Sequence, residues 1–147
     1  MKLYIDNSFL NRPFDSQDIS INKLEADILF IILEYIKDRA FILVNSFVIK
    51  YENSLNPYSE RKIFVENILE LSKFFQNANA AIQNESQRLN NVLKISAIDA
   101  LHLASAHFAK VDYFITCDYN LIKRYKGDLK VVALLNFFQE YGNYKNK

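Results

Sequence analysis

The chain has 147 residues, half of them hydrophobic, and a formal net charge of +1 at pH 7. This length and composition predict one domain with a substantial core, spanning 1–147, and exclude a disordered chain. The balanced charge neither favours nor excludes a nucleic-acid partner, whereas the single cysteine excludes an internal disulfide and a multi-cysteine zinc site. Because we find no leader segment and no apolar run of membrane-spanning length, we expect a cytoplasmic protein that makes no membrane contact.

Short apolar runs predict five strands. They lie at residues 3–5, 41–44, 78–82, 113–116 and 130–133, and the third is ambiguous between strand and helix. Between them, apolar residues recur at three- and four-residue spacing, which predicts helices. The predicted helices cover residues 16–38, 46–55, 57–75, 85–93, 97–109, 121–125 and 134–141, and residues 11–15 form a loop.

The alternation of strands and helices predicts an α/β fold with a mainly parallel sheet covered on both faces. In such sheets, ligands bind beyond the carboxyl ends of the strands. Asp6 and Asp118 each follow a predicted strand, and Asp99 opens an otherwise apolar helix. Glu52 lies in the helix after the second strand and is the candidate for a fourth acid. Carboxylates that converge in this way suit a hard divalent metal ion.

Each acid also has a purely structural interpretation. Ser96 and Asp99 match a capping box, and Asp6 and Asp118 stand where they could cap the turns that follow them. Glu52 could be a solvated helix residue. The argument for function rests on their coincidence, because several carboxylates in one place repel each other unless a cation is present.

Four segments resemble the PIN-domain family. The residues that carry the resemblance are MKLYIDNSFLNRPFD at 1–15, Tyr51-Glu52 followed by Asn56-Pro57, IDALHLASA at 98–106, and YFITCD at 113–118 with Leu121. The resemblance implies a three-layer α/β/α sandwich and a Mg²⁺- or Mn²⁺-dependent nuclease acting on RNA. Many members are VapC-type toxins neutralised by a small antitoxin, and homodimers are common among them.

The resemblance makes Asp6, Glu52, Asp99 and Asp118 the acidic quartet. Our hypothesis is that the three aspartates hold the metal and that Glu52 orients or deprotonates the attacking water. Ser8 and Thr116 match positions where the family often has a hydroxyl near the metal. Asn7 stands where many members carry threonine, and Asn120 stands where a further acid could bind a second metal.

Basic residues near the motifs are candidates for contacting RNA phosphates. Arg12 and Lys50 are the primary candidates, and the others are Lys94, Lys123, Arg124 and Lys126. His102 could hydrogen-bond near the site, although packing is the favoured role, and Cys117 is interpreted as a small core residue.

Two alternatives to a nuclease stay open at this point. One is a non-catalytic PIN-like module that binds RNA or protein. The other is a phosphatase of a different α/β class, which Ser8 disfavours because it occupies the second position of the Asp-x-Asp motif.

Overall fold

The computed structural model describes residues 1–145, and within them the fold is built on a five-stranded sheet. The strands are β1 Lys2–Ile5, β2 Ile42–Ser46, β3 Phe74–Gln76, β4 Tyr113–Thr116 and β5 Val131–Ala133. All pair in parallel, in the order β3-β2-β1-β4-β5. The predicted α/β class with a mainly parallel sheet is confirmed.

Helices cover both faces of the sheet. They are α1 Asn7–Leu10, α2 Ser20–Lys37, α3 Phe47–Ser54, α4 Ser59–Leu69, α5 Ala80–Leu93, α6 Ala97–Phe108, α7 Tyr119–Arg124 and α8 Leu134–Lys145. Right-handed crossovers place α2 and α4 on one face and α5 and α6 on the other, because the chain reverses direction across the sheet after β3. The result is a three-layer α/β/α sandwich.

The core is densest around the central strand. Leu3, Tyr4 and Ile5 of β1 have no exposed surface, as expected of a strand covered on both faces. β1 lies between β2 and β4, where the strand order changes direction. The crevice beyond the carboxyl ends of such strands is the usual ligand site in α/β sheets.

The predicted third strand is wrong. Residues 78–82 do not form a strand, because the side chain of Asn79 accepts a hydrogen bond from the Ile82 amide at 2.8 Å and starts α5. The strand is instead Phe74–Gln76, and its first two residues fall in the predicted helix 57–75. That helix ends at Leu69, so the apolar residues after it are free to pair with β2.

Two further details differ from prediction. The short helix α1 was missed, and a turn of 3₁₀ helix at Arg12–Phe14 occupies the predicted loop. None of the helices in residues 1–145 combines the length and the apolar composition that a membrane crossing requires.

Candidate metal centre

A cleft of about 320 Å³ opens at the carboxyl edge of the sheet. Its lining residues are Asp6, Asn7, Ser8, Asn11, Glu52, Asp99, His102 and Asp118. Four elements supply the four acids: β1 leads into Asp6, α3 carries Glu52, α6 carries Asp99, and β4 leads into Asp118. The structure therefore brings together in one cleft all four acids singled out in the sequence.

Asp6 is the most deeply held of these acids, with 7% of its surface exposed. Ser8 Oγ donates to its Oδ1 and Thr116 Oγ1 to its Oδ2, both at 2.6 Å, and the Phe9 amide donates to Oδ1 at 3.3 Å. Burial raises the pKa of Asp6, and the donated hydrogen bonds act in the opposite direction. Asp6 thus caps α1 and also presents an oriented carboxylate to the cleft.

Glu52 is anchored through a single oxygen. Its Oε1 accepts from Asn7 Nδ2 at 2.8 Å and lies 3.0 Å from His102 Nε2. Burial acts to raise the pKa of Glu52, but the His102 and Asn7 interactions outweigh it, so the pKa is lower than usual. Oε2 has no hydrogen-bond partner among residues 1–141, whose side chains the structure describes, and that oxygen is available to a ligand.

Asp99 and Asp118 form a less restrained pair. Asp118 Oδ1 caps α7 by accepting from the Asn120 and Leu121 amides at 3.0 and 3.1 Å. Ser96 Oγ accepts from the Asp99 amide and caps α6, which is the Ser96 half of the predicted capping box. Burial raises the pKa of Asp99, and the nearby charges of Asp118 and Glu52 raise it further. The capping role and a place in the cleft are thus compatible.

His102 is a site residue that the sequence interpretation undervalued. It is 2% exposed, which fits the favoured packing role, but both ring nitrogens are hydrogen-bonded. Nε2 lies against Glu52, and Nδ1 lies 2.6 Å from the hydroxyl of Tyr4, which in turn lies 2.7 Å from Ser46 Oγ. Burial raises the pKa of Tyr4 well above its usual value, so the phenol stays protonated. The one feature of the sequence that indicated a site role for His102 was its position, one helical turn after Asp99.

Arg12, the leading candidate for RNA binding, does not line the cleft. Its guanidinium binds Asp15 at 2.9 Å and Glu25 at 3.0 Å, and Glu25 is completely buried. The charge of Arg12 thus neutralises an internal carboxylate, and its contact with RNA stays a prediction. Lys50 is exposed and also lies outside the cleft lining. Cys117 packs against the core, and burial raises the pKa of its thiol, which opposes a nucleophilic role.

Arg124 is the cation that the structure brings near the acids. It lines a smaller pocket of about 90 Å³ that shares Asp99 and Asp118 with the cleft. Its Nη1 donates to the main-chain oxygen of Lys94 at 3.0 Å, which anchors one side of the guanidinium. Lys94 itself has a left-handed conformation, φ 59°, at the end of α5.

The donor set fits a hard cation, although the acids do not form a compact cluster. Across residues 1–145, no three histidine, cysteine or carboxylate side chains converge closely enough to make a ready-made metal site. Mg²⁺ characteristically keeps several waters and uses only one or two carboxylates, so such a cluster is not required. Burial is the main cause of the raised pKa of Asp99, and the nearby charges of Asp118 and Glu52 add to it; a bound cation would offset both effects.

Comparison with known proteins defines the class of this fold. No family model and no curated protein matches the sequence. Among solved structures, the chain is similar to one from VapBC2 of Rickettsia felis bound to a promoter DNA fragment. Their identity is 13% and the TM-score 0.60, over 90% of this chain and 98% of that one.

Two further complexes contain chains of the same fold. VapBC-1 from nontypeable Haemophilus influenzae matches at 18% identity and a TM-score of 0.59, over 92% of this chain and 99% of that one. FitAcB from Neisseria gonorrhoeae matches at 17% identity and a TM-score of 0.57, over 90% and 98%. The protein is thus an α/β/α domain with an acidic cleft. More specifically, its fold is PIN-like and is shared with these VapBC and FitAcB chains, as its sequence motifs indicated.

Proposed function

We propose that the protein is a Mg²⁺- or Mn²⁺-dependent endoribonuclease that hydrolyses phosphodiester bonds in RNA. The observation that carries the proposal is the meeting of four acids, distant in sequence, in one cleft beyond the carboxyl ends of β1 and β4. Structural roles alone do not explain this meeting, because ionised carboxylates that share a cleft repel each other.

Asp6, Asp99 and Asp118 are the residues that would hold the metal. When bound, the cation lowers the pKa of a coordinated water and stabilises negative charge on the phosphoryl oxygens. Ser8 and Thr116 hold Asp6 in one orientation by donating to both of its oxygens. Such oriented ligands reduce the reorganisation needed when the metal and the substrate bind.

Glu52 is suited to orient or deprotonate the attacking water. Asn7 and His102 bind the same oxygen, Oε1, so Oε2 is the acceptor that remains for a water. The lowered pKa of Glu52 keeps the carboxylate ionised at neutral pH, as an acceptor of a water proton must be.

Arg124 replaces Arg12 as the proposed contact to an RNA phosphate. Its anchored guanidinium lines a pocket together with Asp99 and Asp118. The positive charge there offsets the repulsion between the acids and the RNA backbone. Contacts of this kind position the backbone and carry no sequence information.

We further propose that the protein is the toxin of a type II toxin–antitoxin pair. The similar chains come from VapBC and FitAB complexes, some of them bound to DNA. A small antitoxin is therefore the proposed partner, and we propose a homodimer acting on RNA in the cytoplasm. The alternative is a non-catalytic module that binds RNA or protein.

Cleavage of a fluorophore-quencher RNA by purified protein tests the nuclease. We expect activity with Mg²⁺ or Mn²⁺, none with EDTA, and about a thousandfold less in Asp99→Asn. Asp27→Asn is a matched control, because Asp27 is an exposed α2 residue paired with Lys23. No cleavage with either metal would reject the nuclease and support the binding module, and equal cleavage by wild type and Asp99→Asn would show that the activity arises elsewhere.

A further inference from the structure

A buried chain of hydrogen bonds runs from β2 to the cleft and ends on Glu52. It joins Ser46 Oγ to the Tyr4 hydroxyl at 2.7 Å, that hydroxyl to His102 Nδ1 at 2.6 Å, and His102 Nε2 to Glu52 Oε1 at 3.0 Å. Ser46 and Tyr4 are fully buried and His102 is 2% exposed, so solvent does not compete for these bonds.

The available donors and acceptors give the chain one direction. Ser46 Oγ already accepts from the Ile49 amide at 3.2 Å, so its own proton needs an acceptor. Among residues 1–145, the Tyr4 oxygen is the acceptor bonded to it. The Tyr4 proton is then donated to His102 Nδ1, and the His102 proton lies on Nε2, where it is donated to Glu52. In this arrangement each side-chain polar atom of Ser46, Tyr4 and His102 has a hydrogen-bond partner.

The direction of these hydrogen bonds determines how the Glu52 carboxylate is held. Glu52 Oε1 receives two donors, the Nε2–H of His102 from one side and the Asn7 amide from the other. These two bonds hold Oε1 in place and leave Oε2 as the carboxylate oxygen without a partner among the described side chains. A histidine with its proton on Nδ1 would turn a bare lone pair toward Glu52 and remove one of the two bonds.

We propose that His102 is a positioning residue for the cleavage reaction, held by Tyr4 and Ser46 as the Nε2–H tautomer so that Glu52 presents Oε2 to the attacking water. The role rests on the proposed ribonuclease function, whereas the tautomer and the hydrogen bonds belong to the protein alone. His102 itself touches neither the water nor the RNA and acts through Glu52.

Replacing His102 by Asn or by Gln distinguishes the roles of its two ring nitrogens. Gln at position 102 places an N–H near the site of Nε2 and keeps the donor to Glu52, whereas Asn places its amide near Nδ1 and cannot reach Glu52. We expect His102→Asn to lower kcat about 100-fold with KM unchanged, and His102→Gln to recover about tenfold of that loss. Tyr4→Phe removes one hydroxyl, keeps the ring stacked on Phe114, and should lower kcat about tenfold. Equal activity of the Asn and Gln variants would overturn the proposal.

Nitrogen-15 NMR of metal-free, RNA-free protein tests the tautomer independently of activity. The chain has two histidines, so His107→Gln assigns the signals, and its activity should be unchanged because His107 lies exposed on α6. We expect His102 protonated at Nε2 alone, with its Nδ1 resonance moving toward that of a free imine nitrogen in Tyr4→Phe.

These measurements separate failure of the positioning role from failure of the nuclease. A proton on Nδ1, or on both nitrogens, at pH 8 would overturn the positioning role even in an active enzyme. The expected spectra in a protein that does not cleave RNA would leave the hydrogen-bond chain established but overturn its catalytic role, together with the nuclease itself.

Discussion

The two walls of the cleft treat their acids in opposite ways. The fixed wall, made of Asn7, Glu52 and His102, surrounds a carboxylate with donors and lowers its pKa. The open wall, made of Asp99 and Asp118, places two carboxylates near each other, and the pKa of Asp99 is raised. The same functional group thus has a lowered pKa on one side of the cleft and a raised pKa on the other.

This difference indicates a division of labour. A carboxylate that is already neutralised by donors gains little from a nearby cation, whereas a pair of mutually repelling carboxylates gains much. The fixed wall is therefore suited to orienting a water, and the open wall is suited to binding a metal. Asp6 lies between them, buried like a core residue but oriented by Ser8 and Thr116.

The largest expected effect is on activity, and it should differ between the walls. We expect Asp99→Asn to lower kcat by about a thousandfold and to abolish Mg²⁺ binding measured by calorimetry. Glu52→Gln should lower kcat by about a hundredfold while leaving the Mg²⁺ affinity within a fewfold of wild type. If Glu52→Gln loses Mg²⁺ binding as completely as Asp99→Asn does, the proposed division between the walls is wrong.

The second effect concerns the support of the fixed wall. Arg12 follows α1, which carries Asn7 and Ser8, and it neutralises Glu25, a fully buried carboxylate of α2. Arg12→Met should lower the free energy of unfolding in urea by about 3 kcal/mol, because Glu25 is left buried and unpaired. The double variant Arg12→Met/Glu25→Met should recover most of that loss.

The Arg12 variant also tests the sequence-based expectation that this residue binds RNA. A folded Arg12→Met protein should keep its RNA affinity, measured by fluorescence anisotropy. A fall of tenfold or more with unchanged stability would instead restore Arg12 as a phosphate contact.

The third effect concerns the open wall. Arg124→Ala should weaken RNA binding about tenfold. The slope of log affinity against log salt concentration should fall in magnitude by about one. Arg88→Ala is the matched control, since Arg88 is exposed on α5 and paired with Glu85. If the two alanine variants bind RNA equally well, Arg124 is not the phosphate contact.

The sequence allowed the fold and the acids to be predicted because both depend on local pattern. Apolar runs of three or four residues mark the buried strands, and the acids that follow β1 and β4 within two residues share the carboxyl edge of a parallel sheet. The strand at 74–76 escaped prediction because it follows a helix with no proline or glycine between them. Nothing in its local pattern distinguishes it from a further helical turn.

The partners of charged side chains were beyond prediction because they depend on tertiary contact. Arg12 meets Glu25 across 13 residues, and His102 meets Tyr4 and Glu52 across 98 and 50. A basic residue beside a motif is a reasonable candidate for binding RNA until a buried carboxylate is found against it. The same limit hid the role of His102, whose position on an apolar helix face favoured packing.

The smallest expected effect is on stability, and it has opposite sign on the two walls. Glu52 has a pKa below the ordinary 4.5, so its ionised form stabilises the fold; this contribution is full above pH 4.5 and is lost as the pH falls through the lowered value. Asp99 has a pKa above the ordinary 3.8, so its ionisation destabilises the fold as the pH rises from 3.8 through the raised value.

At pH 7 without metal, Asp99→Asn should therefore raise Tm by about 2 °C, and Glu52→Gln should lower it by a similar amount. The gain of Asp99→Asn should shrink as the pH falls through the raised pKa of Asp99, because the wild-type carboxyl is then protonated as well. Excess Mg²⁺ should reverse the order at pH 7, because ligand binding stabilises the wild type and not the Asn variant. Shifts of the same sign for both variants at pH 7 would mean that the two walls do not differ in their electrostatics.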